Sequence, residues 1–184
     1  MQEGTTSVGG FMDPEAIIKQ LEVVPGSIAA DFGCGPGYFS LPFAKVIGEE
    51  GKLYSLDVLP QALETTKSKA KISGLTNIFT ERVNFEKEGG SHLNNESLDW
   101  VIMKDVLFQN QKKEIVINEA FRILKNGGKA LFVEWNENES GIGPRKEVRV
   151  LENDLKKMAT DAGFKIEKKI DAGNFHYAFV GVKG

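Results

Sequence analysis

Hydrophobic positions along this chain follow two periods in turn. Apolar or alternating runs of strand length occur at Ser27–Phe32, Lys52–Asp57, Asn77–Val83, Leu98–Met103, Lys129–Trp135, Lys165–Ile170 and Tyr177–Val182. Between most of them lie stretches whose apolar residues recur every three or four positions, which puts them on one side of a helix. These are Leu41–Ile47, Pro60–Ser73, Gln111–Leu124 with its stripe of Ile115, Ala120, Phe121 and Leu124, and Leu151–Ala162, closed by Gly163. Ahead of the first strand, Asp13-Pro14-Glu15 reads as an N-cap, a proline preset for the first helical position and an acid in the first turn. Ile17, Ile18 and Leu21 line that helix, and Pro25-Gly26 stops it. Asn126-Gly127-Gly128 is expected to cap the helix before it.

Strands alternating with helices imply right-handed crossovers and a mostly parallel sheet covered on both faces. The last two strands differ, because only Asp171–His176 separates them, too short for a helical crossover; they should pair antiparallel. The expected fold is α/β: a doubly wound, mostly parallel seven-stranded sheet with an antiparallel C-terminal edge hairpin. No repeat or linker divides it, so residues 11–184 read as one domain, preceded by a polar, glycine-bearing segment at 1–10 expected to be mobile. Two long irregular stretches, Glu86–Ser97 and Asn136–Glu147, leave the sheet near the side where ligands bind in such folds.

Composition narrows the classes. With 41% apolar residues and a net charge of −3, the chain can bury a core, so disorder is excluded as its main state. Lys and Arg total 23 against 26 Asp and Glu, which provides no field for gripping nucleic acid. The apolar runs, such as Trp100–Met103, fall far short of the roughly 18 residues a membrane span needs. A single cysteine, Cys34, and two separated histidines, without clustered acids, argue against a metal site. The lone cysteine and the absence of a charged-then-apolar leader make the cytoplasm the expected compartment.

The sharpest motif is Ile28-Ala29-Ala30-Asp31-Phe32-Gly33-Cys34-Gly35-Pro36-Gly37, a strand running into glycines at alternate positions and then a helix beginning near Tyr38-Phe39. Glycine lets the backbone turn tightly and approach a ligand with no Cβ in the way. A dinucleotide loop, G-x-G-x-x-G, would need its third glycine where Tyr38 stands. Asp31, two places before the first glycine, would repel a pyrophosphate and suit a cation. Asp57 ends the second strand, 20 residues after Gly37, where an acid can accept both ribose hydroxyls. A cationic group at one end and a ribose at the other describes S-adenosylmethionine and disfavours NAD.

Ala29–Gly37 resembles motif I of the class I S-adenosylmethionine-dependent methyltransferases. Leu56-Asp57 is similar to that family's ribose-binding acid, Leu98–Met103 to its fourth strand, and Arg122–Gly128 to its R-x-L-K-P-G-G turn, with Asn126 in place of the proline. The closing hairpin is also a mark of the fold, and the small quinone-biosynthesis and phospholipid methyltransferases are the most similar groups. The resemblance implies S-adenosylmethionine as cofactor and S-adenosylhomocysteine as product. It implies a cradle from Asp31, Phe32, Gly33, Cys34, Gly35, Pro36 and Gly37, ribose binding by Asp57, and Val58 flanking the adenine. Asn84 or Phe85 would meet the adenine amino group, and Lys104 would stand where cofactor and acceptor meet. Phe11 and Met12 are placed to close over the cofactor.

Methyl transfer is an in-line displacement driven mainly by positioning and exclusion of water, and needs a base only if the acceptor arrives protonated. Asp105, just past the fourth strand, is the candidate base, ahead of Glu134, which also reads as a strand-end residue, and His176, which also reads as a structural or exposed residue in a turn. Asp105 and Asn136 alone make a thin metal set. Lys104-Asp105-Val106-Leu107 lacks the Asn/Asp-Pro-Pro-aromatic turn of adenine and glutamine methyltransferases, and one cysteine is too few for arsenite chemistry. A small organic acceptor is expected, under a lid built partly from Asn136–Glu147 with Arg145 available to an acidic group. The alternatives are a cofactor-binding sensor or partner subunit without transfer, or a methyltransferase acting on a protein side chain. Oligomeric state is not encoded in any of these features.

Overall fold

Asp13 opens the first helix, α1 (Pro14–Lys19), by accepting the Glu15 N–H at 2.9 Å, the cap its position predicts. The computed structural model describes residues 12–138 and 141–184, so the expectations for Met1–Gly10 and Phe11 lie outside the described residues. Then follow β1 (Ile28–Phe32), α2 (Ser40–Ile47), β2 (Lys52–Asp57), α3 (Pro60–Ile72), β3 (Ile78–Arg82) and β4 (Leu98–Lys104). A short 3-10 turn, Leu107–Gln109, precedes α4 (Lys113–Ile123) and β5 (Leu124–Trp135); α5 (Glu152–Asp161), β6 (Phe164–Ile170) and β7 (His176–Lys183) complete the chain.

The sheet order is β3-β2-β1-β4-β5-β7-β6. The β1–β2, β1–β4, β2–β3 and β4–β5 pairs are parallel, and β7 runs antiparallel to both β5 and β6. β7 inserts between β5 and β6, so the edge of the expected hairpin is β6, the earlier of its strands. Order reverses between β1 and β4, and there the loops diverge and leave a crevice at the carboxyl ends of the strands.

Strand residues alternate in direction and build a core on each face. Ala29, Leu53, Ile102, Leu131 and Val133 pack with Ile17, Ile18, Phe43 and Ile47 of α1 and α2. Ala30, Phe32, Val101, Met103 and Phe132 pack with Val116, Ile117, Leu155 and Phe164 on the other face. One boundary differs from expectation. Asn126-Gly127-Gly128 lies within the range of β5, where the register jumps from Leu98–Leu124 to Trp100–Lys129, and α4 ends earlier, at Ile123. The glycines bulge the strand because its partner, β4, keeps the pairing on either side. Among the described residues, no helix is long and apolar enough to cross a membrane.

Candidate active site

The turn after β1 spends its own donors. Gly33 and Cys34 donate to Leu56 O at 2.8 and 3.0 Å, Gly37 to Cys34 O at 3.0 Å, and Gly35 to Asp57 Oδ2 at 2.9 Å. A phosphate loop works by aiming such N–H groups at the anion, so this loop is unsuited to a pyrophosphate. Gly33, Gly35 and Gly37 all have positive φ, and a Cβ on Gly33 would lie 2.9 Å from Val106 Cγ2. A Cβ on Gly35 would meet nothing within 4 Å, so open space lies over the middle of the bend. Thr66 and Lys69 of α3 hold the Gly35 and Pro36 carbonyls from below, at 2.8 and 3.2 Å. Cys34 is buried as a filler, and burial and the two nearby carboxylates push its thiol well above its ordinary range.

Asp31 sits under this loop. It is 2% exposed, and Oδ2 accepts from Ser40 Oγ at 2.7 Å, itself bonded to Ser55 Oγ at 2.7 Å. Desolvation lifts its pKa from 3.8 to about 7, against the pull of Ser40 and Lys104 and with a push from Asp57. Asp31 is therefore a buried acid whose ionisation a cationic ligand would favour. Asp57 bridges two elements, taking Gly35 N on one oxygen and Leu59 N on the other at 2.9 Å. The bond to Leu59 N shapes the turn that leads into α3, whose own N-cap is Leu59.

Val58, Asn84 and Arg82 line one cleft of about 480 Å³ beyond Asp57. Phe85 does not: it is 2% exposed and stacks on Phe32 at 4.3 Å, inside the core. Of the two residues expected near an adenine, only Asn84 faces this cleft, because alternation turns its neighbour inward. Phe32 likewise contributes only backbone to the loop.

The ends of β4, β5 and β7 converge on a second group. Lys104 Nζ lies 2.5 Å from Asp105 Oδ2 and 5.7 Å from the Tyr38 ring centroid, while the Tyr38 hydroxyl donates to Met12 O at 2.5 Å. Asp105 has φ +54, a conformation that costs energy in a non-glycine residue and persists where its surroundings over-determine it. The restraints are Asp105 N to Val133 O at 2.9 Å and Gln109 Nε2 to Asp105 O at 2.6 Å. His176 Nε2 reaches Asp105 Oδ2 at 3.3 Å and lies 3.2 Å from Oδ1; its ring tilts against Trp135 with centroids 4.2 Å apart. Glu134 is fully buried, takes the Leu107 N–H at 2.7 Å, and has its pKa raised to about 8 by burial and by Asp105. Glu134 and His176 are thus neither a bare strand end nor an exposed turn residue. The pairing that unites them, Glu134–Tyr177 and Trp135–His176 across β5 and β7, has no local signal.

Arg149 had no sequence signal either. Its guanidinium donates to the carbonyls of Asn136, Asn138, Ile142 and Pro144 at 2.7–3.0 Å and sits over Trp135 at 5.8 Å. Arg145, the expected substrate cation, is exposed. His92 is exposed and pairs with Glu81 at 2.7 Å. Arg122, inside the R-x-L-K motif, binds buried Glu119, which holds Ser91, so this motif pins the Glu86–Ser97 loop. Among the described residues, no group of His, Cys, Asp or Glu is arranged to hold a metal.

A loop with inward-spent donors, open space over Gly35 and two carboxylates beneath it suits a ligand that is cationic at one end and a ribose further along. Comparison with known proteins accords with this. A family model described as a methyltransferase domain matches residues 25–178. The ubiquinone/menaquinone biosynthesis C-methyltransferase of Haemophilus ducreyi is 25% identical over 114 residues, covering 61% of this chain and 42% of that protein. The demethylmenaquinone methyltransferase of Geobacillus kaustophilus is 26% identical over 123 residues, covering 67% of this chain and 51% of that protein. The chain thus spans about half the length of these curated relatives. A SAM-dependent methyltransferase from Aquifex aeolicus superposes with TM-score 0.86 at 22% identity, covering 95% of this chain and 92% of that one.

Proposed function

Since the chain belongs to the methyltransferase domain family of the class I, S-adenosylmethionine-dependent type, we propose that it methylates a small organic acceptor. The observation that carries this reading is the consumption of the Gly33, Cys34, Gly35 and Gly37 donors inside the protein above buried Asp31, which disfavours phosphates and favours a ligand with a cationic end. Relatives named for quinone methylation support a small, unsaturated acceptor.

In this reading Asp31 and the loop backbone hold the methionine end, Asp57 the ribose, and Val58 and Asn84 the base. When bound, the cofactor supplies an electrophilic methyl on a cationic sulfur. The protein's part is to orient and to exclude water. Val106 packs on Gly33, which ties the turn bearing Asp105 to the cradle. Lys104 offsets the negative charge beside it.

The test is calorimetry with S-adenosylhomocysteine and NAD, then incubation of methyl-labelled S-adenosylmethionine with demethylmenaquinone and simple phenols. Binding of S-adenosylhomocysteine alone and label in a small molecule are expected. Label appearing only in added protein would overturn the acceptor class.

A further inference from the structure

Asn84, in the turn after β3, has its carboxamide fixed in one orientation. The Glu86 N–H donates to Asn84 Oδ1 at 3.0 Å. A backbone N–H can only donate, so the oxygen is the bound end, and the Nδ2 amino group, two donors and no acceptor, is the other. The turn around it is anchored on several sides. Lys87 N donates to Asn84 O at 3.3 Å and Gly90 N to Lys87 O at 3.0 Å, and Gly90 packs so close that a Cβ there would overlap Asn84 O. Glu86 Oε1 takes the N–H groups of Gln111 at 2.6 Å and Lys112 at 3.3 Å, while Phe85 is buried against Phe32.

Asn84 lines the cleft of about 480 Å³ beyond Asp57, and its neighbours there are donors as well. Arg82 gives Nε to Val58 O at 3.1 Å and brings a guanidinium, which has no acceptor, to the same cleft; Lys87 adds an ammonium. Val58 is apolar and 48% exposed, a surface for a flat ring. His92 is paired with Glu81, and among the described lining residues Glu88 is the only carboxylate. A base in this cleft therefore presents its polar edge mainly to hydrogens. Adenine carries a 6-amino group, which needs an acceptor, beside N1, which needs a donor. A 6-oxopurine carries a carbonyl oxygen at the same carbon, which needs donors.

We propose that Asn84 reads the base as a donor, so that this site takes a 6-oxopurine nucleoside, the inosyl counterpart of the cofactor's adenosyl group, at least as readily as the adenosyl form. The proposal rests on the methyl-transfer reading, which puts the base in this cleft, and it replaces the expectation that Asn84 meets the adenine amino group. Asn84 Nδ2 donates to O6 of the oxopurine, or to N1 of adenine, whose amino group then finds donors rather than an acceptor around it. A site that reads a polar edge rejects the analogue whose groups it leaves unmatched, and here the mismatch falls on the amino group. The sulfur end is the same in both ligands, so Asp31 and the glycine loop do not distinguish them.

The test is calorimetry of the intact protein with S-adenosylhomocysteine and with S-inosylhomocysteine, in which oxygen replaces the purine amino group. Wild type is expected to bind the inosyl compound as tightly as the adenosyl one or more tightly. Asn84→Asp keeps an oxygen for Glu86 N and turns the free end into an acceptor, so it should shift the ratio of the two Kd values roughly tenfold toward the adenosyl compound. The ratio is internal to each variant, so a general loss of fold does not imitate the shift. Glu88→Gln is expected to leave the ratio unchanged. A wild-type preference for the adenosyl compound beyond about twofold, a ratio that Asn84→Asp moves by less than about threefold, or one that Glu88→Gln moves as far, overturns the assignment to Asn84. Failure of wild type to bind either compound would instead overturn the underlying methyl-transfer reading.

Discussion

Asp31 and Glu134 are buried acids whose protonated forms are favoured by folding, to about 7 and about 8 respectively. A carboxyl raised in the folded state contributes stability that is full below its ordinary pKa and is lost as pH rises through the raised one. Thermal unfolding should therefore show a decline from pH 5 to pH 9. Glu134→Gln, which keeps an oxygen for Leu107 N without the charge, is expected to flatten the upper part of that decline and raise the melting temperature at pH 9. Asp31→Asn should do the same nearer pH 7, since its oxygen still accepts from Ser40. The same substitution should weaken S-adenosylhomocysteine binding roughly tenfold by calorimetry, because its ammonium loses a charged partner. Stability and binding pull in opposite directions here, as expected of groups kept for function.

At the level of elements, the segment after β5 is held by one side chain. Arg149 ties carbonyls on both arms of the 136–149 stretch and covers Trp135. Arg149→Ala is expected to destabilise the protein by about 1–3 kcal/mol, since several carbonyls lose a charged donor together. Amide exchange should quicken in residues 141–149 ahead of the core strands. Arg145→Ala, at an exposed position, should change stability by less than about 0.5 kcal/mol. Equal effects of the two substitutions would show that Arg149 is not the clamp.

For the whole molecule, the cradle joins β1, β2, β4 and α3, so a ligand there binds only the folded chain. S-adenosylhomocysteine at 100 times its Kd should stabilise by about 2.7 kcal/mol, and thus raise the melting temperature by roughly 5–10 °C in a chain of this size. NAD at the same concentration should leave it unchanged. A matching rise with NAD would mean that the inward-spent donors do not discriminate as argued.

The elements, their order and the glycine bend were legible in the chain because local rules write them: apolar period, the Asp13-Pro14 cap, the short link before β7, and glycines where φ must be positive. Asp57 was legible too, since the end of a strand beside such a bend is a defined place. The insertion of β7 between β5 and β6, the inward turn of Phe85, the burial of Asp31 against Ser40, and the meeting of Asp105, Glu134 and His176 came only with the tertiary structure. These depend on contacts between residues far apart in sequence: Asp105 and His176 stand 71 positions apart, and β-pairing between distant strands places them together. Periodicity says which face a side chain takes; which neighbour strips its water and shifts its proton is set by the packed whole.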